Sequence, residues 1–560
     1  MKKKWSLRML SLMLSCVLVA GMLAGCRANQ DDKPSENQGK TEAGTKGTEG
    51  ETEGETEGAD EIVYPLEGDV KLSIFVHSGA GVHASFASVD EAPWHNALEK
   101  KTGVDIDWQF PAAGADINTA LSLLWQDDKL PNIVTGACGT MSNLITWYED
   151  GLIYDLTEYL PKYAPDYWAY LNLPENAEEK MKVQTDDGKF LAVHSFLEKE
   201  EINTYLGPVI RQDWLDECGL KAPQTLEEWE NVLVKFKEKY NAKFGFFMSR
   251  FNTGSGIASG TGAYAALKTN FYLDENNKVC LGNTGEEWKE LLEVLNRWYN
   301  MGLLDPDFAT VNDAALRTKV ANNEIGVAYT AVSQLQNWMV DAETSGTGAK
   351  WVGFQYPATE VGAAITYSNI SRGKLTNYSA CITTDSSEEE LIAALKMLNY
   401  GYTEEGLLFH NLGEEGIGYV KDAQGNIAYG DTILNDPDGI DAAVKKYSNA
   451  HTGMMSTIQL QVAADLKRVG VAADAVAKWT ENNDAKKHVI PAVTYTTDEN
   501  TEMAELDSAL STYIVEWALK FVTGQESLDK YSEYEAGLER YNLKKSLEIK
   551  QAAVDRYFNR

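Results

Sequence analysis

One cysteine near the start of the sequence stands where a lipid could be attached covalently. Cys26 directly follows the segment 23–25, Leu-Ala-Gly, which closes an apolar stretch behind a basic head at residues 2–8. This arrangement is typical of a secretory signal rather than of a membrane-spanning helix. We therefore predict a signal peptide at 1–25, a lipobox, lipidation of Cys26 and a position on the extracytoplasmic face of the membrane. The alternative is an ordinary signal or a short anchor in which Cys26 is incidental.

Compact catalytic motifs are missing from the sequence. It contains neither a Gly-x-x-x-x-Gly-Lys-Ser/Thr phosphate loop nor a Gly-x-Ser-x-Gly nucleophile turn. The Gly-rich run 254–260 resembles a dinucleotide loop only superficially, because no convincing strand of a βαβ unit precedes it. We interpret that run as a loop, and we predict no cofactor and no catalytic residue.

Metal and acid–base sites are also poorly supported by the residue spacing. The seven histidines form no His-Glu-x-x-His pair, so we predict no zinc site. Asp436, Asp438, Gly439 and Asp441 resemble a calcium loop, but Pro437 and the missing terminal glutamate favour a plain turn. A glycosidase would need two carboxylates at a defined separation, which spacing alone cannot establish.

Strand and helix patterns alternate from residue 70 onward, and they would position any site. Strand patterns at 70–76, 104–108 and 132–134 are separated by helix patterns around 94–101 and at 117–126. A βαβαβ order predicts a parallel sheet, whose ligands lie at the carboxyl ends of the strands. The loops at 77–81 and 136–140 occupy those ends. Further helices are predicted to begin at Thr225 and to cover 388–400, 502–523 and 543–558.

The charge of the chain restricts its partners. The 560 residues carry a formal net charge of −34, which disfavours nucleic acid and anionic membrane surfaces. It also disfavours anionic ligands captured through a long-range field, although one local basic pocket would escape that argument. Residues 26–61, rich in Gly, Thr and Glu, are predicted to be a disordered tether. No second apolar stretch is long enough to span a bilayer, so we expect membrane contact only through the lipid.

The cysteines of the body leave their redox state open. Cys138, Cys218, Cys280 and Cys381 are far apart in the sequence, and no Cys-x-x-Cys pair occurs. Four such residues in an exported protein permit two disulfides, but a large domain needs none. We favour buried free thiols.

A set of longer motifs resembles a known family. The stretch 210–229 contains Arg-Gln-Asp-Trp-Leu and then Pro-Gln-Thr-Leu-Glu-Glu-Trp, and further familial segments occur at 187–193, 302–310, 399–406, 413–419 and 549–557. In this order they resemble the extracellular solute-binding lipoproteins of ABC-type carbohydrate importers, the long branch of family 1. Leu191 and His194 replace the tyrosine and proline that are usual at 187–194 in this family.

The resemblance implies a fold and a function. The fold would be α/β and two-lobed, of the periplasmic-binding-protein-like type II, with a hinge and an interlobe ligand cleft. The N-terminal lobe would comprise 62–190 and 328–408, and the C-terminal lobe 191–327 and 409–560. Crossings would lie near 189–195, near 326–330 and after about 410.

The same resemblance implies the partners. We expect a monomer that captures a carbohydrate, with an oligosaccharide as the expected form, and delivers it to ABC transporter permease subunits without making or breaking a bond. The alternatives are the same fold binding a peptide or another solute, a sensor outside transport, and a surface glycosidase.

Candidate ligand-binding residues follow from strand ends, crossings and aromatic character. They are His77 and Ser78 after the first strand, Gly136 and Thr140 after the third, Arg211, Asp213 and Trp214 beyond the first crossing, Arg250 and Phe251 before the Gly-rich run, Trp338 as a stacking ring, and Glu415 in a Gly-rich turn. For Arg211, Asp213 and Trp214 an equally open interpretation is a folding anchor, in which the tryptophan is packed and the arginine is paired with an acid.

Overall fold

A computed structural model describes most of the chain beyond residue 61. The described residues are 62–77, 92–112, 115–136, 141–245, 256–370, 372–449, 455–468 and 470–560. The predicted signal peptide 1–25 and tether 26–61 lie outside them. Within these ranges, no helix combines the length and the apolar character needed to cross a bilayer.

The strands of the described residues are short and are distributed over the whole chain. They are β1 (Val70–His77), β2 (Val104–Gln109), β3 (Ile133–Gly136), β4 (Val193–Leu197), β5 (Leu206–Arg211), β6 (Lys243–Gly245), β7 (Phe271–Leu273), β8 (Val279–Leu281), β9 (Ile325–Ala331), β10 (Trp351–Gly353), β11 (Leu375–Ile382), β12 (Tyr419–Lys421), β13 (Ile427–Tyr429) and β14 (Ile458–Gln459).

Helices supply the larger part of the regular structure. They are α1 (Pro93–Thr102), α2 (Ile117–Leu124), α3 (Met141–Glu149), α4 (Leu160–Tyr163), α5 (Pro165–Leu171), α6 (Ala177–Lys182), α7 (Gln212–Cys218), α8 (Leu226–Tyr240), α9 (Gly285–Asn300), α10 (Asp313–Ala321), α11 (Val332–Ser345), α12 (Glu388–Tyr400), α13 (Glu404–Leu412), α14 (Asp431–Leu434), α15 (Ile440–Tyr447), α16 (Gln461–Lys467), α17 (Val471–Thr480), α18 (Thr497–Thr523), α19 (Tyr531–Leu538) and α20 (Leu543–Phe558). Short 3-10 helices cover Pro174–Asn176, Glu200–Asn203, Ile257–Gly260, Ala485–His488, Leu528–Lys530 and Glu539–Tyr541.

The first sheet confirms the predicted parallel βαβαβ unit. Its strand order is β14-β4-β11-β3-β1-β2, and β1 pairs in parallel with both β2 and β3. The edge strand β2 alternates buried and exposed side chains over its first four residues, whereas the second half of β1 is buried on both faces. That difference is expected, because a central strand is covered by helices on both sides. The strand β11 runs antiparallel between β3 and β4.

The second sheet is smaller and has its own core. Its order is β10-β5-β9-β6, with β5 antiparallel to β9 and β6 parallel to it. Every residue of β5 and β9 is buried. Apolar side chains of α8, α9, α11, α18 and α19 join the same hydrophobic cluster, which is separate from the cluster around the first sheet. The two clusters give the α/β body two centres of packing.

The chain changes sheet at places that differ from the predicted crossings. It leaves the first sheet between β4 and β5, returns between β10 and β11, and leaves again after β14 for α17, which packs on β10. The predicted crossing at 189–195 runs into β4, which pairs with β11 and β14 in the first sheet. The predicted crossing at 326–330 lies inside β9 of the second sheet. Both positions were implied by the family resemblance, whereas sheet membership is decided by strand partners far along the chain.

Helix ends agree closely with the sequence signals. The Thr225 hydroxyl accepts a hydrogen bond from the Glu228 amide and caps α8, as predicted. The reciprocal bond of the expected capping box goes instead from the Gln224 amide to the Glu228 carboxylate. The predicted helices at 388–400 and 543–558 have the observed bounds, and α18 begins five residues before the predicted start at 502 because Thr496 and Glu499 form a capping box.

Candidate ligand-binding cleft

A cavity of about 570 Å³ lies where the chain changes sheet. One wall comes from the segment between β4 and β5, and another from the first residues of β11. The end of β9 with the start of α11 supplies the third wall, and β14 with α16 and the residue after it supplies the fourth. Three of these walls therefore belong to or border segments that connect the two sheets, and the wall from β9 and α11 belongs to the second sheet. A concave site in such a position is typical of ligand pockets between lobes.

The lining is mixed in character, with polar groups predominating. Aliphatic side chains such as Leu197, Ile202 and Val332 supply part of the wall. The polar and aromatic lining residues are Asn203, Tyr205, Ser333, Gln336, Thr376, Asn377, Tyr378, Gln459, Lys467 and Arg468. Amide and hydroxyl groups can both donate and accept hydrogen bonds, and the tyrosine rings offer flat apolar faces. The cavity therefore fits a ligand with many hydroxyl groups better than a purely apolar one.

Hydrogen bonds hold the walls of the cavity to one another. The Val332 amide donates to the Tyr205 carbonyl at 2.8 Å and joins α11 to the segment before β5. The Gln336 side chain donates to the Lys467 carbonyl at 2.8 Å and joins the same helix to α16. At the β11 wall the Thr376 hydroxyl donates to the Ser195 carbonyl at 3.0 Å and joins β11 to β4. These contacts connect the lining across segments that are distant in sequence.

The two tyrosines of the lining differ in exposure. Tyr205 is 40% exposed, whereas Tyr378 is half-buried. Burial first, and the neighbouring Tyr205 second, raise the pKa of the Tyr378 phenol above its usual value. That phenol is therefore a neutral hydroxyl at physiological pH and is able to donate a hydrogen bond to a ligand oxygen.

Two predicted site residues meet at the adjoining edge of the first sheet. His77 ends β1 and pairs with Gly136 at the end of β3. Gly136 pairs on its other side with Ser379, the residue after the cavity-lining Tyr378. A Cβ atom at Gly136 would lie 2.4 Å from the His77 carbonyl oxygen, and its φ is +101°, so only glycine fits here. The side chain of His77 is 2% exposed. These residues shape the edge of the sheet beside the cavity.

Arg211, Asp213 and Trp214 are brought together as a packed group. The Arg211 guanidinium donates from Nε and Nη2 to the two Asp213 carboxylate oxygens at 2.9 and 2.6 Å, and from Nη1 to Asn323 at 2.6 Å. It also lies 4.0 Å from the centre of a Trp214 ring. Arg211 and Trp214 are 4% and 5% exposed. This arrangement matches the folding-anchor interpretation that the sequence left open.

Trp338 joins the same packed region, and its predicted role as a stacking ring does not agree with this position. Its side chain is 2% exposed, and its ring centre lies 5.1 Å from that of Trp351. Trp351 pairs with Arg211 across β10 and β5. We call Arg211, Asp213, Trp214, Trp338 and Trp351 the Arg211 cluster. Because a ring with both faces packed cannot stack on a sugar, Trp338 contributes to the core of the second sheet.

Glu415 lies apart from the cavity. Its side chain is 57% exposed, 3.4 Å from the Tyr419 hydroxyl and 3.7 Å from Lys421 Nζ. These contacts belong to the β12–β13 hairpin, which has a small hydrophobic cluster of its own. The remaining predicted residues, Cys26, Ser78, Thr140, Arg250 and Phe251, lie outside the described residues.

The sequence reasoning missed the residues that line the cavity. Tyr205, Tyr378 and Arg468 belong to segments that connect the sheets or begin a strand, and their proximity depends on pairing between strands distant in sequence. The sequence did contain a signal that Trp338 is buried. Val332, Leu335, Trp338 and Ala342 recur at helical spacing and are the buried face of α11.

No metal-binding group is found in the part of the chain that the structure describes. Clusters of three or more histidine, cysteine or acidic side chains with suitable geometry are absent there. In the loop that resembles a calcium site, Lys446 Nζ lies 2.8 Å from Asp436 and 2.7 Å from Asp438. An ammonium group thus binds two of these acids. Cys218, Cys280 and Cys381 are free thiols, while Cys138 lies outside the described residues.

Comparison with solved structures identifies the fold. A human-milk-oligosaccharide-binding solute-binding protein associated with an ABC transporter, from Bifidobacterium longum infantis ATCC 15697, superposes with a TM-score of 0.70. The comparison covers 88% of this chain and 99% of the other, at 18% sequence identity. This likeness confirms the predicted two-lobed α/β fold of the periplasmic-binding-protein type.

Two curated relatives are similar in sequence. Lipoprotein LipO of Bacillus subtilis (strain 168) is 25% identical over 350 residues, which cover 60% of this chain. The aligned part spans less than two thirds of LipO, 65% of its length. The fructooligosaccharide ABC transporter substrate-binding protein FusA of Streptococcus pneumoniae serotype 4 (strain ATCC BAA-334 / TIGR4) is 22% identical over 498 residues, covering 82% of this chain and 86% of FusA.

The family follows from a match to more than half of the chain. The model of the bacterial extracellular solute-binding protein family matches residues 80–407, a range that includes the second sheet, four of the six strands of the first sheet and three walls of the cavity. The family is defined by solute binding, which agrees with the prediction of a binding protein rather than an enzyme. On this match, together with the fold, the chain belongs to the bacterial extracellular solute-binding protein family.

Proposed function

We propose that this protein is the lipid-anchored receptor of an ABC-type importer and that it captures an oligosaccharide between two lobes. The observation that carries the proposal is the cavity of about 570 Å³ among the segments that connect the two sheets. The lobes would be built on the first and the second sheet, with the connecting segments as the hinge. The sugar-binding names of FusA and of the Bifidobacterium protein support the ligand class.

The chemistry of the lining supports a sugar as the ligand. A sugar ring presents C–H groups on its faces and hydroxyl groups around its rim, so it needs flat apolar surface together with hydrogen-bonding partners. Tyr205 and Tyr378 would supply the rings, and Gln336, Asn377 and Gln459 would bind the hydroxyl groups. We further propose that His77 and Gly136 form the edge of this site.

Binding would be converted into a signal by closure of the lobes. A ligand that touches both lobes stabilises the closed arrangement more than the open one, and a permease can distinguish the two. The walls of the cavity come from both sheets, so a ligand in it contacts both lobes at once. No bond of the ligand needs to change in this mechanism.

The proposal is tested by titrating the soluble form, residues 62–560, with neutral and acidic oligosaccharides in a calorimeter. We expect stoichiometric binding without any change in the recovered sugar. The variant Tyr378→Ala should lower the affinity by about tenfold, because it removes a ring and a hydroxyl from the lining. A matched control is Tyr541→Ala, at an exposed ring far from the lining residues in sequence and absent from the cavity wall. Hydrolysis of the sugar, or no binding to any member of the set, would contradict the proposal.

Anchoring at Cys26 needs a separate experiment. In the full chain, Cys26→Ser should abolish incorporation of labelled palmitate and move the protein from the membrane fraction to the medium. Cys16→Ser, inside the predicted signal, is the matched control and should leave labelling intact. A Cys26→Ser protein that remains wholly in the membrane fraction would contradict the lipid anchor.

A further inference from the structure

The charged side chains of the cavity lining that the structure describes are opposite in sign to the net charge of the chain. The chain has a formal net charge of −34, yet the charged residues that line the cavity in the described part of the chain are Lys467 and Arg468, without an aspartate or glutamate. We infer that the ligand carries a carboxylate and is an acidic saccharide, such as a uronate-containing oligosaccharide. This inference rests on the proposed function and specifies its ligand.

Arg468 is the residue that carries the inference. It is half-buried, and its Nη2 donates to the Ile202 carbonyl. The nearest acid on its own helical segment, Asp465, is exposed, accepts a hydrogen bond from Gln461 at 2.7 Å and forms no ion pair with Arg468. Desolvating a guanidinium without an anionic partner is unfavourable, whereas a ligand carboxylate would supply that partner. An arginine in this state is suited to a ligand that brings its own negative charge.

The electrostatic surroundings of Arg468 point the same way. Burial lowers the pKa of Arg468 and the charge of Asp465 raises it, and the guanidinium stays protonated at any physiological pH. The N-terminus of α11 lines the same cavity at Val332 and Ser333, and its first turn contains no acidic residue. Amide groups at a helix N-terminus attract negative charge, so this end of α11 adds to the effect of Arg468.

The acidic surface of the protein does not prevent such a ligand from binding. At physiological ionic strength the Debye length is about 8 Å, so exposed charges beyond that distance are largely screened. A carboxylate inside the cavity is close to Arg468 and shielded from the outer surface. Guanidinium groups bind carboxylates through two parallel hydrogen bonds, which gives selectivity for an acid over an alcohol of similar size.

The test compares acidic saccharides with their own neutral derivatives. Trigalacturonate, a trisaccharide from alginate and a hyaluronan tetrasaccharide are each titrated into residues 62–560, beside the same compound after reduction of its carboxylates to primary alcohols. We expect at least one acid to bind about tenfold or more tightly than its reduced form, as loss of a charge-assisted hydrogen bond predicts. If reduced or other neutral oligosaccharides bind equally well or better, the proposed function stands and the acidic ligand is wrong. If no saccharide of either kind binds, both fail.

Variants of Arg468 provide the second arm. Arg468→Gln should lower the affinity for the acidic saccharide about tenfold while leaving the affinity for its reduced form within twofold, and Arg468→Lys should retain part of the preference. Thermal unfolding of each variant checks that the fold survives. Arg297→Gln, which removes an exposed pair with Glu230, is the matched control and should change neither affinity. Equal losses for acid and alcohol in Arg468→Gln would overturn the inference, because they would assign Arg468 a structural role only.

Discussion

Two arginines of this chain lie in contrasting surroundings. Arg211 donates to both oxygens of Asp213 and to Asn323, and it stacks on Trp214. Among the described residues, Arg468 donates to one backbone carbonyl, and it lies in the wall of a cavity. The first guanidinium has its donors and its charge satisfied within the fold. The second has donors and charge available to a ligand.

The contrast separates packing residues from binding residues. The Arg211 cluster contains four residues that the sequence suggested as ligand contacts, Arg211, Asp213, Trp214 and Trp338, and the structure packs them in the second sheet's core. Burial opposes ionisation of Asp213, but the hydrogen bonds and the charge of Arg211, together with backbone amides, outweigh it, so the pKa of Asp213 lies below its usual value. Residue type and motif therefore do not distinguish an anchor from a site. The two are distinguished by whether their polar groups already have hydrogen-bond and charge partners within the fold.

As the pH falls, the contributions of buried histidines around the first sheet to the free energy of unfolding should be lost before that of the Arg211 cluster. His95, His194 and His410 are buried there, and burial lowers the pKa of each to about 3. Their stabilising contribution is complete above the unfolded-state pKa of about 6.5 and is lost as the pH falls from there toward 3. Each should reduce the free energy of unfolding by about 1.4 kcal/mol per pH unit in that window. Urea unfolding measured between pH 7 and 4.5 tests this.

The variant His95→Phe sharpens the acid experiment. Neither ring nitrogen of His95 has a hydrogen-bond partner among the described residues, and Trp108 lies 4.5 Å away between ring centres. A phenyl ring should keep the packing and remove about a third of the pH slope attributed to the three histidines. By contrast, the Arg211–Asp213 pair should weaken only below the usual aspartate pKa of about 3.9. Stability that is flat from pH 6 to 4.5 would contradict this account.

Among substitutions in the Arg211 cluster, Trp338→Ala should lower the free energy of unfolding the most. Removing a fully packed indole leaves a void beside Trp351, and we expect a loss of about 3–5 kcal/mol in the free energy of unfolding. The affinity of the protein that remains folded should be unchanged. A folded, equally stable variant with weakened sugar binding would contradict this account and indicate that Trp338 contacts the ligand.

Arg211→Gln should have a somewhat smaller effect in the same direction. It removes the ion pair and leaves Asp213, whose side chain is 22% exposed, with the Lys350 amide at 3.2 Å as a remaining donor. We expect a loss of about 3 kcal/mol in the free energy of unfolding, measured with urea at pH 7, and no change in affinity. A tenfold loss of affinity without loss of stability would contradict this account, because it would assign Arg211 to ligand binding rather than to packing.

The sequence predicted local features well and long-range features poorly. The strands around residues 70–136 and the ends of α8, α12 and α20 follow from alternation, capping residues and helical spacing within each segment. The residues of the cavity follow from none of these, because Tyr205, Tyr378 and Arg468 meet only after β4 and β5, β11 and β14 have found their partners. The positions where the chain changes sheet, which the family resemblance implied near 189–195 and 326–330, depend on the same pairings. The packed state of Trp338 was accessible from the buried face of α11.

The most direct measurement is a calorimetric titration of one oligosaccharide into wild type, Tyr378→Ala and Trp338→Ala under identical conditions. The account predicts that Tyr378→Ala loses about tenfold in affinity and keeps its stability, whereas Trp338→Ala keeps its affinity and loses stability. The opposite pattern, with unchanged affinity in Tyr378→Ala and weakened binding in a stable Trp338→Ala, would contradict the assignment of the ligand to the cavity between the sheets.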